Sequence, residues 1–143
     1  MRVWHQLLIP YLPRQQLLGQ HRELAALRGL GWGRKHSTVD YVFTYDPDNL
    51  IAFHYLVMDE MEKRGYHPDP IWKECNWRGN KLGIDLGWSS QTQVNGIYNE
   101  AKSGKIIYFE HDDEYLRECL KNLEGKGIII TTTSWLLKKF LVK

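Results

Sequence analysis

The stretch from Asp46 to Tyr66, DPDNLIAFHYLVMDEMEKRGY, constrains this chain more than any other. Leu50, Ile51, Phe53, His54, Val57, Met58 and Met61 recur at a spacing near 3.6 residues, which gives a helix with a broad apolar face and not a strand. Asp46 suits the N-cap and Pro47 the first helical position, where its missing N–H costs nothing. Lys63 or Arg64 ends the helix. Gly65 then stands at C′, with Tyr66 placed to close the end.

Two further helices follow from the same reasoning. From about Pro13 to Leu27, the residues Leu17, Leu18, Leu24 and Ala25 form one stripe, with His21 inside it. Gln15, Gln16, Gly19, Gln20, Arg22 and Glu23 fall on the opposite side. Gly29, Gly31 and Gly33 end this helix and open a flexible loop that carries Arg34, Lys35 and His36. The third helix starts near Asp112 or Asp113 and runs to about Leu123. Tyr115, Leu116, Cys119, Leu120 and Leu123 form its stripe. The residues between the second and third helices show no clear period. Residues 128–143 read as a short strand or an amphipathic tail. The expected architecture is therefore all-α, one domain over 1–143, with three main helices and a long irregular connection.

The composition supports a self-sufficient core. Of the 143 residues, 43% are hydrophobic and 25% charged, which excludes a disordered chain and suits one domain. No apolar run reaches the roughly 18 residues that span a bilayer, and the first residues lack the apolar core of a secretory signal. Two cysteines, Cys75 and Cys119, make no disulfide framework, so a reducing cytoplasm is the expected location. Residues 1–39 carry six bases against one acid, Glu23, while the remainder carries thirteen bases and sixteen acids. A basic third of this kind suits an extended anion as partner.

Familiar catalytic motifs are missing. There is no Walker loop, dinucleotide fingerprint or HExxH, and the six histidines form no HxH or HxxxH pair. The cysteines are too far apart in sequence for a CxxC clip, so no metal site and no cofactor are expected. His21 and His54 lie in apolar stripes and read as core histidines. Glu23 stands out because it opposes the positive field around it. It is either half of a solvated helix ion pair with a neighbouring base, or a general acid/base for a bound nucleic acid.

The run QQLLGQHREL followed by RKH resembles the first helix and loop of the phage-type pyrimidine-dimer DNA glycosylases, known as endonuclease V. FTYDPDNL and MEKRGY on the second helix, and Arg117 with Lys121 one turn apart on the third, extend that resemblance. It implies an all-helical fold with the N-terminal segment packed between helices. It implies cleavage of the glycosidic bond at pyrimidine dimers and strand breakage by β-elimination, without metal or cofactor, by a monomer acting on lesion-containing double-stranded DNA.

In that family the nucleophile is the α-amine of the first residue. Here that is Met1, because methionine is usually retained before a side chain as large as Arg2. An α-amine titrates at roughly 7.7–8.0, against about 10.4 for lysine, so it is far more often neutral at pH 7. The resemblance makes Glu23 the catalytic carboxylate and places Arg22 beside it at the lesion. Arg2, Gln15, Arg22, Arg34, Lys35, Arg117 and Lys121 are the implied DNA contacts. Ala26 stands where the family's type member has a further DNA-contacting arginine. Arg28 is the nearest basic substitute, although helical geometry turns it about 200° from position 26. A non-catalytic nucleic-acid-binding module with the same basic surface is the alternative reading.

Overall fold

A computed structural model of the protein describes residues 1–130. Four α-helices carry the fold: α1, Arg14–Arg28; α2, Pro47–Lys63; α3, Gln91–Lys102; and α4, Asp113–Gly125. Short 3-10 helices cover Gln6–Tyr11, Asp40–Thr44 and Pro70–Lys73. The described residues form no strand, only an isolated antiparallel bridge between Trp77 and Ile84. The fold is all-α. The strand-or-tail reading of 128–143 falls largely outside the described residues, although Ile128 and Ile130 pack against the core.

Helix α2 is the central element. Its apolar face is wide enough that α1 packs on one side and α3 on another. Leu50, Phe53, Val57 and Met61 enter a main core shared with Leu17, Leu24 and Leu27 of α1 and with Leu116, Cys119 and Leu123 of α4. Ile51 and Ala52 face a smaller core with Cys75 and Val94. Gly65 takes φ = +87° at the end of α2, a conformation that an L side chain rarely adopts. Both thiols are buried, and burial pushes the Cys119 thiol up. Among the described residues no helix is long and apolar enough to cross a membrane.

The connection between α2 and α4, expected to be irregular, contains α3. This helix is missed by periodicity because its sequence, QTQVNGIYNEAK, buries only Val94 and Ala101. Its start is nonetheless written in the chain. Ser90 caps the Gln93 N–H, and the Ser90 N–H donates to the buried Asp48 carboxylate of α2 at 2.8 Å. Ser90 followed by Gln93 is the spacing of a capping box. The glycine loop after α1, expected to be flexible, is anchored: Trp32 meets Phe43 and Trp88 edge-on, with ring centroids 5.0 and 5.6 Å away.

The N-terminal segment threads between helices. Val3, Trp4, Leu8, Ile9 and Leu12 are buried in the main core. Hydrogen bonds between side chains and backbone tie the segment down on three sides. The amide of Gln6 pairs with the Lys105 carbonyl and the Ile107 N–H. Arg64 at the end of α2 donates to the carbonyls of Leu12 and Pro10. Tyr115 of α4 donates to the Val3 carbonyl at 2.5 Å.

Two buried histidine clusters complete the interior. His5 stacks on His111 at 5.2 Å, and His111 accepts from the Gln6 N–H at 3.0 Å. Arg28 donates to His54 Nδ1 at 3.0 Å, which leaves His54 Nε2–H to donate to His21 Nδ1 at 2.7 Å. Burial lowers the pKa of His5 to about 4 and holds His54 and His111 well below the ordinary histidine value. A group whose folded pKa is depressed stays neutral in the fold while the unfolded chain takes up a proton, so stability is complete above the unfolded value near 6.5 and falls as the pH drops below it. Each such histidine removes up to roughly 1.4 kcal/mol per pH unit in that range. Denaturant midpoints measured between pH 7.5 and 4.5 should therefore fall steeply below about pH 6.5. His111→Gln should flatten the curve; a flat wild-type profile would contradict the burial of neutral imidazoles.

Candidate active site

Helix α1 presents Glu23, half-buried, towards the incoming N-terminus. Between them stands Gln20, one turn earlier and 1% exposed. The sequence pattern set Gln20 on the face opposite the leucines, but the structure buries it. The reason is its amide. Gln20 Oε1 accepts the Trp4 N–H at 2.7 Å, and its Nε2 donates to the Arg2 carbonyl at 3.0 Å. One side chain thus satisfies a donor and an acceptor of the extended N-terminal segment, as a neighbouring strand would. The same Nε2 lies 3.5 Å from Glu23 Oε2.

This clamp delivers the first residue to the carboxylate. The Arg2 N–H donates to Glu23 Oε2 at 3.2 Å. The α-nitrogen of Met1 is one residue further out, a reach of at most about 3.6 Å, so it lies within about 7 Å of that oxygen. The Met1 carbonyl accepts from Thr38 Oγ at 2.5 Å, and His36 Nδ1 lies 2.9 Å from the same hydroxyl. Met1 itself is 46% exposed.

These groups line a polar cleft of about 280 Å³. The N-terminal segment gives Met1, Arg2 and Trp4; α1 gives Glu23; the loop after it gives His36 and Thr38. The end of α4 supplies Asn122 and Lys126, with the Lys126 ammonium 5.9 Å over the Trp4 ring. A larger and more apolar cavity of about 380 Å³ lies between the Gln6–Tyr11 turn, α2 and the end of α3, and it contains neither Met1 nor Glu23. The polar cleft brings a primary amine, a carboxylate and an imidazole together.

Most of the remaining expected site residues are exposed on the elements that line this cleft without lining it themselves. Arg22 is exposed on α1 beside Glu23, and Gln15 is exposed eight residues earlier, about 12 Å along the helix axis. Arg34 and Lys35 are exposed on the loop leading to His36. Arg117 and Lys121 are exposed one turn apart on α4, the helix that ends in the cleft. The Arg2 side chain is largely covered. Its guanidinium lies 5.8 Å from the ring centroids of both Trp4 and Tyr115, and 3.7 Å from Glu118. Arg28 is fully buried and donates to the carbonyls of Trp72, Glu74 and Trp77, so it cannot replace an arginine at position 26. Burial lowers its pKa to about 10, which leaves it charged at neutral pH.

The pyrimidine dimer DNA glycosylase family matches residues 1–74, just over half of the chain. The chain belongs to that family. A search of curated proteins and a search of solved structures found no match. Membership makes the protein a DNA glycosylase of the pyrimidine-dimer type, with DNA as substrate. The matched segment contains Met1, Gln20, Glu23, His36 and Thr38. The other wall of the cleft, Asn122 and Lys126, lies beyond it. Neither of those two stood out in the sequence, because both sit at the end of α4 with no motif around them. Thr38 was equally silent.

Gln20→Leu would keep the volume of the clamp and strand both backbone groups. We expect stability to fall by about 1–3 kcal/mol and the Trp4 amide to exchange with solvent much faster. Unchanged exchange at Trp4 would contradict the clamp.

Proposed function

We propose that the protein excises pyrimidine dimers and then nicks the strand, using the Met1 α-amine as nucleophile and Glu23 as acid/base. The observation that carries this reading is the hydrogen bond from the residue-2 amide to Glu23, which fixes the amine and the carboxylate in one cleft. The neutral amine attacks C1′ of the damaged nucleotide. The C1′–N bond to the base breaks with its electron pair, and the released base takes a proton. Positive charge develops on the sugar as the base leaves, and a carboxylate a few ångströms away stabilises it. The attached nitrogen gives up a proton, the C1′–O4′ bond breaks onto O4′, which takes a proton from Glu23, and an iminium forms between the α-nitrogen and C1′. Glu23 then removes a C2′ proton, and the 3′ phosphate leaves by β-elimination.

The surroundings suit this sequence. An α-amine is a better neutral nucleophile at pH 7 than a lysine. Arg22, Arg34, Lys35, Arg117 and Lys121 are exposed around the cleft and available to phosphates, with Gln15 as a neutral partner further along α1. Arg2, packed over Trp4 and Tyr115, acts chiefly by holding the segment that carries the amine. Lesion duplexes are weakly stacked at the dimer, which lowers the cost of distorting them there.

Borohydride should trap a covalent complex between the protein and dimer-containing or abasic DNA. One extra residue before Met1 should abolish trapping. Glu23→Gln should lower strand cleavage by roughly 10²–10⁴-fold while leaving DNA binding within a few-fold. Cleavage by the extended protein at the wild-type rate would refute the amine as nucleophile.

A further inference from the structure

The chain between Trp72 and Trp88 forms a tight hairpin bolted to the end of α1. The Arg78 N–H donates to the Gly83 carbonyl at 2.9 Å, and the Asp85 N–H donates to the Asn76 carbonyl at 2.9 Å. The Arg78 side chain donates to the carbonyls of Arg28 and Gly29 at 2.9 and 3.3 Å, pairs with Asp85 at 3.1 Å and lies 4.3 Å over the Trp88 ring. Buried Arg28 ties the same region from the other side through three carbonyls. The approach is close enough that a Cβ at Gly29 would meet the Arg78 carbonyl at 2.9 Å.

What this anchoring holds out is apolar and basic. Leu82, Ile84 and Leu86, at alternate positions, are 41%, 54% and 83% exposed, and Leu30 nearby is 50% exposed. Lys81 at the tip is exposed and lines a shallow cup with Ala26, Leu30 and Trp72. Ala26 is one turn from Arg22 on the exposed side of α1, so the hairpin flanks the helix face that carries the candidate site. Rigidly held, exposed aliphatic side chains beside a cation mark a recognition surface. The hairpin lies beyond the residues that match the family.

We infer that the hairpin from Asn76 to Leu86 is a second contact with duplex DNA, placing Lys81 on a phosphate flanking the lesion and Leu82 and Leu86 against the sugar edges of the groove. The inference rests on the reading of the α1 face as the DNA-binding face. It follows from continuity of that face with the hairpin and from the positive tip. The only acid on the arm after the turn, Asp85, is turned back onto Arg78.

The test measures binding of the full-length protein to a duplex carrying a non-cleavable tetrahydrofuran abasic analogue, across a series of salt concentrations. Lys81→Ala should reduce the slope of log affinity against log salt by about 0.9 and weaken binding roughly eightfold at 0.1 M salt. Leu82→Ser with Leu86→Ser should weaken binding several-fold without changing the slope. All three residues are exposed, and thermal melting confirms that the variants fold. If the wild type binds and both variants match it in affinity and slope, the hairpin contact is overturned while the function stands. If the wild type binds no DNA, the function and the contact fail together. If the serine variant changes only the oligomeric state in sedimentation, the surface joins copies of the chain and the DNA contact is overturned.

Discussion

The hydrogen bonds from one buried glutamine hold the first residues of this molecule in place. Gln20 accepts from Trp4 and donates to Arg2, and one turn later Glu23 accepts the Arg2 N–H. A chain terminus is ordinarily the most mobile part of a protein. Here the first residues are clamped by an amide, sealed under apolar packing of Val3 and Trp4, and closed by Tyr115 from α4. The terminus is thereby turned from a frayed end into a positioned group. Preorganisation of this kind is what a nucleophile needs, because misplacement by an ångström costs far more than any single contact supplies.

Much of the fold was readable from sequence because α1, α2 and α4 each carry an apolar stripe ended by glycine, although of their three N-cap residues only Asp112 makes a side-chain cap hydrogen bond. The bounds of α2 follow from Asp46, Pro47 and Gly65 alone. Helix α3 escaped because its stability comes from tertiary partners, the Asp48 carboxylate and the smaller core, and not from an apolar period. Glu23 was legible as a chemical oddity, a lone acid in a basic third. The burial of Gln20 was not legible, since a helical wheel assigns polar side chains to solvent and cannot anticipate that an extended segment will pass over them. Arg28 shows the same limit: a basic residue in a basic region turns out to tie carbonyls of a later segment.

The interior holds polar side chains tied to one another and to backbone groups. Arg28, His54 and His21 form one chain, and His111, Gln6 and Tyr41 form another. Such groups stabilise only while every partner is present, and they specify one arrangement of segments that have no regular pairing. That suits a fold whose N-terminal segment and tryptophan-rich connection lack a sheet to join. The same device that fixes the connection, Arg28 against three carbonyls, also fixes the hairpin on the α1 face.

The central claim is that the amine at the head of the chain reacts. The most direct measurement is proteolysis and mass spectrometry of the borohydride-reduced complex with abasic DNA. The account predicts the deoxyribose remnant on the α-nitrogen of Met1. A remnant on a lysine side chain, such as that of Lys126 across the cleft, would contradict it.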